Sequence, residues 1–162
     1  MNVAIKLEQY NHNNIFFCDS IKNSIINEGI FIRILYSNSY VLINGIFLLI
    51  SLNDITFCKY YNKFKCVFNI NFNKNIINEI KIIEEQLLNK INIKNKEPQF
   101  KIYEQMKNGY IKLYNEINEI AEINKNNNSQ NFILKISGIW ETQTNYGLTY
   151  KFIKPLLFIL EN

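Results

Sequence analysis

The stretch FILKISGIWETQTNYGLTYKFI, Phe132 to Ile153, decides the fold. From Phe132 to Trp140 the residues alternate: Phe132, Leu134, Ile136 and Gly138 fall on one side, Ile133, Lys135, Ser137 and Ile139 on the other. A period of two marks a strand with one dry face and one wet face. Gly147 to Ile153 alternates too, setting Leu148, Tyr150 and Phe152 against Thr149, Lys151 and Ile153. The polar segment Glu141 to Tyr146 reads as an exposed turn, so the two strands form an antiparallel pair. Gly138 weakens its strand unless the backbone must bend there or another group must come close.

Working outward, Tyr110 to Tyr114 (YIKLY) adds an alternating strand, although Leu113, Ile117 and Ile120 also permit a helix running to Ile123. The tract Asn124 to Asn131 reads as a polar loop. Strands dominate the first half, with Ile30 to Tyr36 and Tyr40 to Leu52 rich in β-branched and aromatic residues on either side of Ser37-Asn38-Ser39. Asn44-Gly45 interrupts the second run, as a bulge or bend within a long strand or as a hairpin turn. Asp54 to Tyr61 and Lys63 to Phe72 read as two more strands. In the latter, Phe64, Cys66, Phe68 and Ile70 oppose Lys63, Lys65 and Asn69.

The period changes over Asn75 to Ile91, where Ile76, Ile80, Ile83, Leu87 and Ile91 recur at helical spacing. Glu84 and Glu85 are adjacent, splayed by about 100° on a helix, and read as solvated. Pro98 suits the first turn of a second, short helix and Gly109 its C-terminal stop; the competing reading makes Phe100 to Met106 a strand with Asn108-Gly109 as a hairpin turn. The pattern is α+β and mainly antiparallel, with one or two helices. It suits an OB-like Greek-key barrel within a single domain spanning residues 1–162.

Composition carries one bias that precedes any chemistry. Asn, Ile, Lys, Phe and Tyr are abundant, Gly (5) and Pro (2) are scarce, and Arg33 is the sole arginine, as an A/T-rich coding sequence would produce. The net charge of +4 is therefore permissive for nucleic acid rather than diagnostic. Cys18, Cys58 and Cys66 lack C-x-x-C spacing and, with His12, do not make a zinc site; no cofactor is expected. No signal peptide is apparent, and Tyr40 to Leu52 is too short to span a bilayer. The expectation is an intracellular protein without a membrane partner. The common nucleotide-binding and hydrolase motifs do not occur. His12 reads as an exposed surface residue, and Glu116, Glu119 and Glu122 as a solvated helix face, so no enzyme is expected.

What remains is aromatic and basic. A single-stranded nucleic acid needs flat side chains for its bases and cations for its phosphates. Trp140, Tyr146 and Tyr150 with Lys135 and Lys151 supply both types, and Lys112 and Tyr114 add them on a neighbouring strand.

The hydrophobic-Lys-hydrophobic-Ser-Gly-hydrophobic-Trp strand, followed by Gly-Leu-Thr-Tyr-Lys, resembles the C-terminal strand pair of single-stranded-DNA-binding proteins of large DNA viruses and phages. The resemblance covers residues 132 to 154, with weaker support from Gly109 to Tyr114. It implies an OB fold and sequence-independent, non-catalytic binding of single-stranded DNA in viral replication, repair or recombination, at Trp140, Tyr150 and Lys151. It also implies replication proteins as partners and the host cell's site of viral DNA replication as location. One departure is the end KPLLFILEN, apolar where such proteins often carry an acidic tail. That end is expected to pack into the fold or into a homo-oligomer interface. The alternative function is a viral structural or scaffolding protein acting through assembly.

Overall fold

The computed structural model describes residues 4–114 and 128–155. The described strands are β1 (Ile5–Lys6), β2 (Ile15–Lys22), β3 (Ile30–Ser37), β4 (Leu42–Asn44), β5 (Ile46–Asn53), β6 (Ile55–Tyr60), β7 (Lys63–Phe68), β8 (Glu97–Gln99), β9 (Tyr110–Leu113), β10 (Ser129–Glu141) and β11 (Asn145–Ile153). Helix α1 is Lys74–Ile91 and helix α2 is Lys101–Lys107. All the described strands join one mixed, mainly antiparallel sheet, whose main path runs β1-β5-β10-β11-β9-β7-β6. The α+β expectation is met. The sheet is open, however, and does not close into the expected barrel: among the described residues the end strands of its main path, β1 and β6, do not pair with each other.

The centre of the sheet is β10. One of its edges pairs antiparallel with β11 from Ile133 to Glu141. The other edge has two successive neighbours, β5 opposite Ser129 to Ile136 and β3 opposite Gly138 to Glu141. At the changeover the register slips between Ile136 and Gly138, leaving Ser137 as an extra residue, a β-bulge. Opposite it the chain turns a corner at Gly45, with φ of 98°, between β4, which pairs with β3, and β5, which pairs with β10. A Cβ at Gly45 would lie 2.8 Å from the Ile136 carbonyl oxygen. Asn44-Gly45 is thus the bend within a long strand rather than a hairpin.

The bulge resets the alternation. Phe132, Leu134 and Ile136 point into the core, and after Ser137 it is Ile139, expected on the wet side, that is fully buried. Gly138 and Trp140 move to the opposite face. Inner positions of the other strands follow suit: Ile32, Ile34 and Tyr36 on β3, Ile46, Leu48, Ile50 and Leu52 on β5, and Leu148 and Phe152 on β11. Each large apolar side chain taken out of water contributes about 1.5–3 kcal/mol.

Helix α1 lays Ile77, Ile80, Ile83, Leu87 and Leu88 against this core, and α2 adds Ile102 and Met106. Glu84 corrects a local reading. It is 1% exposed rather than solvated. Its carboxylate accepts hydrogen bonds from the Ile102 N–H (3.1 Å) and the Tyr103 N–H (2.8 Å), so α1 caps the start of α2. Periodicity along α1 cannot reveal that a second helix end arrives at a polar position. Pro98 is also corrected. It lies in β8, parallel to β11 opposite Tyr146, rather than in the first helical turn. A short edge strand tolerates a residue with no N–H to donate.

The short helix between Phe100 and Gly109 is present, and Gly109 follows it with φ of 77°. Ile70 lies in a 3-10 turn and is exposed, so the alternation expected to Phe72 stops at Phe68. Ser129 to Asn131, expected as loop, are paired with β5. Glu116, Glu119 and Glu122, the helix reading that runs to Ile123, and the end beyond Pro155 lie outside the described residues.

Burial raises the Glu84 carboxyl from its ordinary 4.5 to about 7, against the pull of the two backbone N–H groups. The native state therefore holds this proton more tightly than the unfolded chain. The stability it confers is full below about pH 4.5 and is lost as pH rises towards about 7. Urea unfolding of the wild type is expected to show falling stability between about pH 5 and about pH 8, and Glu84→Gln to flatten that slope.

Candidate functional site

Strand pairing divides the sequence-predicted residues between two faces, because directly opposite residues on paired strands project to the same side. Tyr146 and Tyr150 share the inner parity of Leu148 and Phe152. Tyr146 is 4% exposed. Tyr150 lies edge-on to Phe152 (ring centroids 5.8 Å apart), accepts from Gln105 Nε2 at 3.0 Å and donates to the Lys101 carbonyl at 3.3 Å. Burial pushes its phenol up to about 12. Tyr146 is thus committed to the interior, while Tyr150 is half-buried with its hydroxyl engaged by α2. Tyr150 and Lys151, grouped together in the sequence, are neighbours on a strand and face opposite ways.

The outer face gathers the rest. Lys135 is opposite Lys151 on one side and Phe47 on the other. Lys65 is opposite Lys112, and Lys112 sits one residue before the pair that joins β9 to β11, beside Lys151. Four lysines, Lys65, Lys112, Lys151 and Lys135, therefore form a row across four adjacent strands, about 14 Å at the usual strand spacing. Like charges directly opposite one another destabilise a sheet. Among the described residues no carboxylate pairs with Lys65, Lys135 or Lys151. Rings flank the row instead: Lys65 Nζ lies 4.0 Å from the Tyr110 ring centroid, Lys63 Nζ 4.3 Å from that of Tyr114, and Lys135 Nζ 5.0 Å from that of Phe47. Tyr114 is 57% exposed.

About 13 Å along β11 from Lys151, at strand rise, the same face carries a pair of aromatic rings. Trp140 is opposite Phe31 on β3 and Gly147 on β11. A Cβ at Gly147 would lie 2.7 Å from Trp140 Cζ2, and a Cβ at Gly138 would lie 2.5 Å from Phe31 Cζ. The two glycines thus let both rings lie along the sheet backbone, each half-buried. Gly138 meets both of its expected uses, at a bulge and under a close approach. Arg33, opposite Gly138 and exposed, stands between the rings and the lysine row.

The hairpin tip is fixed from outside. Lys96 Nζ donates to Glu141 Oε1 and, at 2.6 Å, to the Thr142 carbonyl, while the Asn145 N–H donates to Thr142 Oγ1 at 3.1 Å. Of the residues singled out in the sequence, the outer face brings together Trp140, Lys135, Lys151, Lys112 and Tyr114. The same face also carries Phe31, Arg33, Phe47 and Lys65, which the sequence did not single out. The alternation of Lys63 and Lys65 showed a wet side, but their proximity to Lys112 depends on a long-range strand pairing.

No group of three or more His, Cys, Asp or Glu that could hold a metal occurs among the described residues. Burial pushes the Cys66 thiol up to about 12, which keeps it in the un-ionised form. His12 is half-buried rather than exposed; its Nδ1 lies 3.3 Å from the Tyr10 hydroxyl, and burial lowers its pKa. No described helix is long and apolar enough to cross a membrane.

Gly147→Ala tests the seating of the indole. The added methyl is expected to displace Trp140, costing about 1–3 kcal/mol in thermal or urea unfolding and shifting the emission of this single tryptophan.

No family model, curated protein or solved structure matches the chain, so its chemistry is read from this geometry and its sequence.

Proposed function

We propose that the chain binds single-stranded DNA, without catalysis and with little sequence preference, across the outer face of the sheet. The observation that carries this reading is the lysine row, which continues through Arg33 to the Trp140 and Phe31 rings. Opposed like charges cost the isolated fold stability, and a polyanion converts that cost into affinity by releasing counterions as phosphates are neutralised. Rings lying along a sheet give every base a π-face to stack on, which accounts for tolerance of sequence. An open sheet suits a flexible single strand, whose unstacked bases spread over a surface. The setting in viral replication, repair or recombination, and partnership with replication proteins, come from the resemblance of residues 132 to 154.

A second reading, assembly through protein contacts, draws on the exposed apolar side chains Phe16, Ile21 and Leu42. A sedimentation series over protein concentration separates it from a monomeric binder.

Oligo-dT is expected to quench Trp140 fluorescence, and added salt to reverse the quenching. Lys135→Ala and Lys151→Ala should each weaken binding and reduce the slope of log K against log salt by about 0.7, the single-strand value per neutralised phosphate. An unchanged slope in both variants, or no binding at low salt, overturns the reading.

A further inference from the structure

The connection from β2 to β3 forms a wall beside the aromatic pair. Asn23 Oδ1 accepts from the N–H of Ile25 (2.9 Å) and of Ile26 (3.1 Å), the Asn23 N–H donates to the Gly29 carbonyl (2.8 Å), and the Gly29 N–H donates to the Ile26 carbonyl (3.0 Å). These bonds make the loop a defined turn. Gln143 Nε2 donates to Glu28 Oε2 at 3.1 Å, tying the loop to the tip of the β10–β11 hairpin. Between loop and strands lies a groove of about 440 Å³, bordered by Ile21, Phe31, Trp140 and Thr149 and by Lys22 and Ile25 of the wall. This is within the range of small-molecule sites, about 300–1,000 Å³. Ile25 is 91% exposed, an apolar side chain held at the mouth by its own turn.

We infer that this groove receives one unstacked nucleobase of the bound strand, with its ring against Trp140 and Phe31 and its phosphate near Lys22. The inference rests on the sheet-face reading and deepens it by giving one nucleotide a site of its own. Shape favours a flat guest, since Gly138 and Gly147 bring both rings down along the sheet. Charge favours an anionic attachment to that guest: Lys22 borders the groove, Arg33 lies beside Phe31, and no carboxylate lines the groove. The hydroxyls of Ser24 and Thr149 supply polar partners for a heterocycle's edge, which a purely aliphatic guest lacks. The lysine row leads the strand to this end of the sheet.

The test uses the full chain, Trp140 fluorescence, and a set of dT oligonucleotides in which one nucleotide at a time is abasic. One position is expected to stand out, its abasic form binding roughly tenfold more weakly, as loss of a single stacked base implies. Ile25→Glu, at a side chain that packs against nothing extensive, should keep the fold, retain salt-dependent binding and abolish the distinction of that position. Equal effects of abasic substitution at all positions overturn the inference while leaving the sheet-face reading standing, as does an Ile25→Glu profile identical to that of the wild type. Dodecanoate, but not thymidine monophosphate, shifting Trp140 emission also overturns it, in favour of an aliphatic guest. No binding of any oligonucleotide overturns both readings together.

Discussion

A strand buried at the centre of a sheet must satisfy its backbone donors and acceptors along both edges, and β10 is thirteen residues long. That requirement organises the described fold. β11 lines one edge from Ile133 onward. No single neighbour completes the other, so β5 and β3 divide it, and the division sets two local demands. Where the partner changes, β10 needs the bulge at Ser137; where the partner chain turns away, it needs the positive φ and missing Cβ of Gly45. The two irregularities are halves of one corner.

The corner decides which chemistry reaches solvent. Before Ser137 the even-numbered residues of β10 point into the core; after it the odd-numbered Ile139 does. Trp140 is thereby placed on the face that carries Lys135 and Lys151 instead of on the inner, apolar face. The inner face is apolar and closed by helices that are themselves joined through the Glu84 carboxylate. The outer face opposes lysine to lysine in three successive neighbours, an arrangement that folding alone disfavours. The apolar core and the proposed binding face thus occupy opposite sides of the same strands.

Legibility in the sequence follows the range of the interactions. The strand pair from Phe132 to Ile153, the helix from Asn75 and the bend at Asn44-Gly45 are local patterns, and each was readable. The phase of Ile139 was not, because a bulge at serine has no side-chain signature and only the change of neighbour requires it. Glu84 looked like any polar residue beside Glu85 until the start of α2 is brought to it. Tyr150 and Lys151 looked like one constellation because they are adjacent, although adjacency on a strand means opposite faces. The lysine row joins residues 65, 112, 135 and 151, and that proximity is created by topology. The barrel expectation failed for a similar reason: local alternation predicts strands and says nothing about whether the last meets the first.

The Ser137 bulge also makes residue count in β10 a constraint distinct from residue type. Mutational pressure towards A/T-rich codons exchanges arginine for lysine and leucine for isoleucine, and such exchanges leave charge and apolarity on their own sides of the sheet. Gain or loss of one residue between Phe132 and Trp140 would instead transpose the two sides beyond that point, burying the indole and presenting isoleucine to water. At the three-residue tip, Thr142 to Thr144, the same change alters only a loop. The segment thus tolerates drift in spelling but not in length, so the lysine row and the aromatic pair can keep their face while composition drifts.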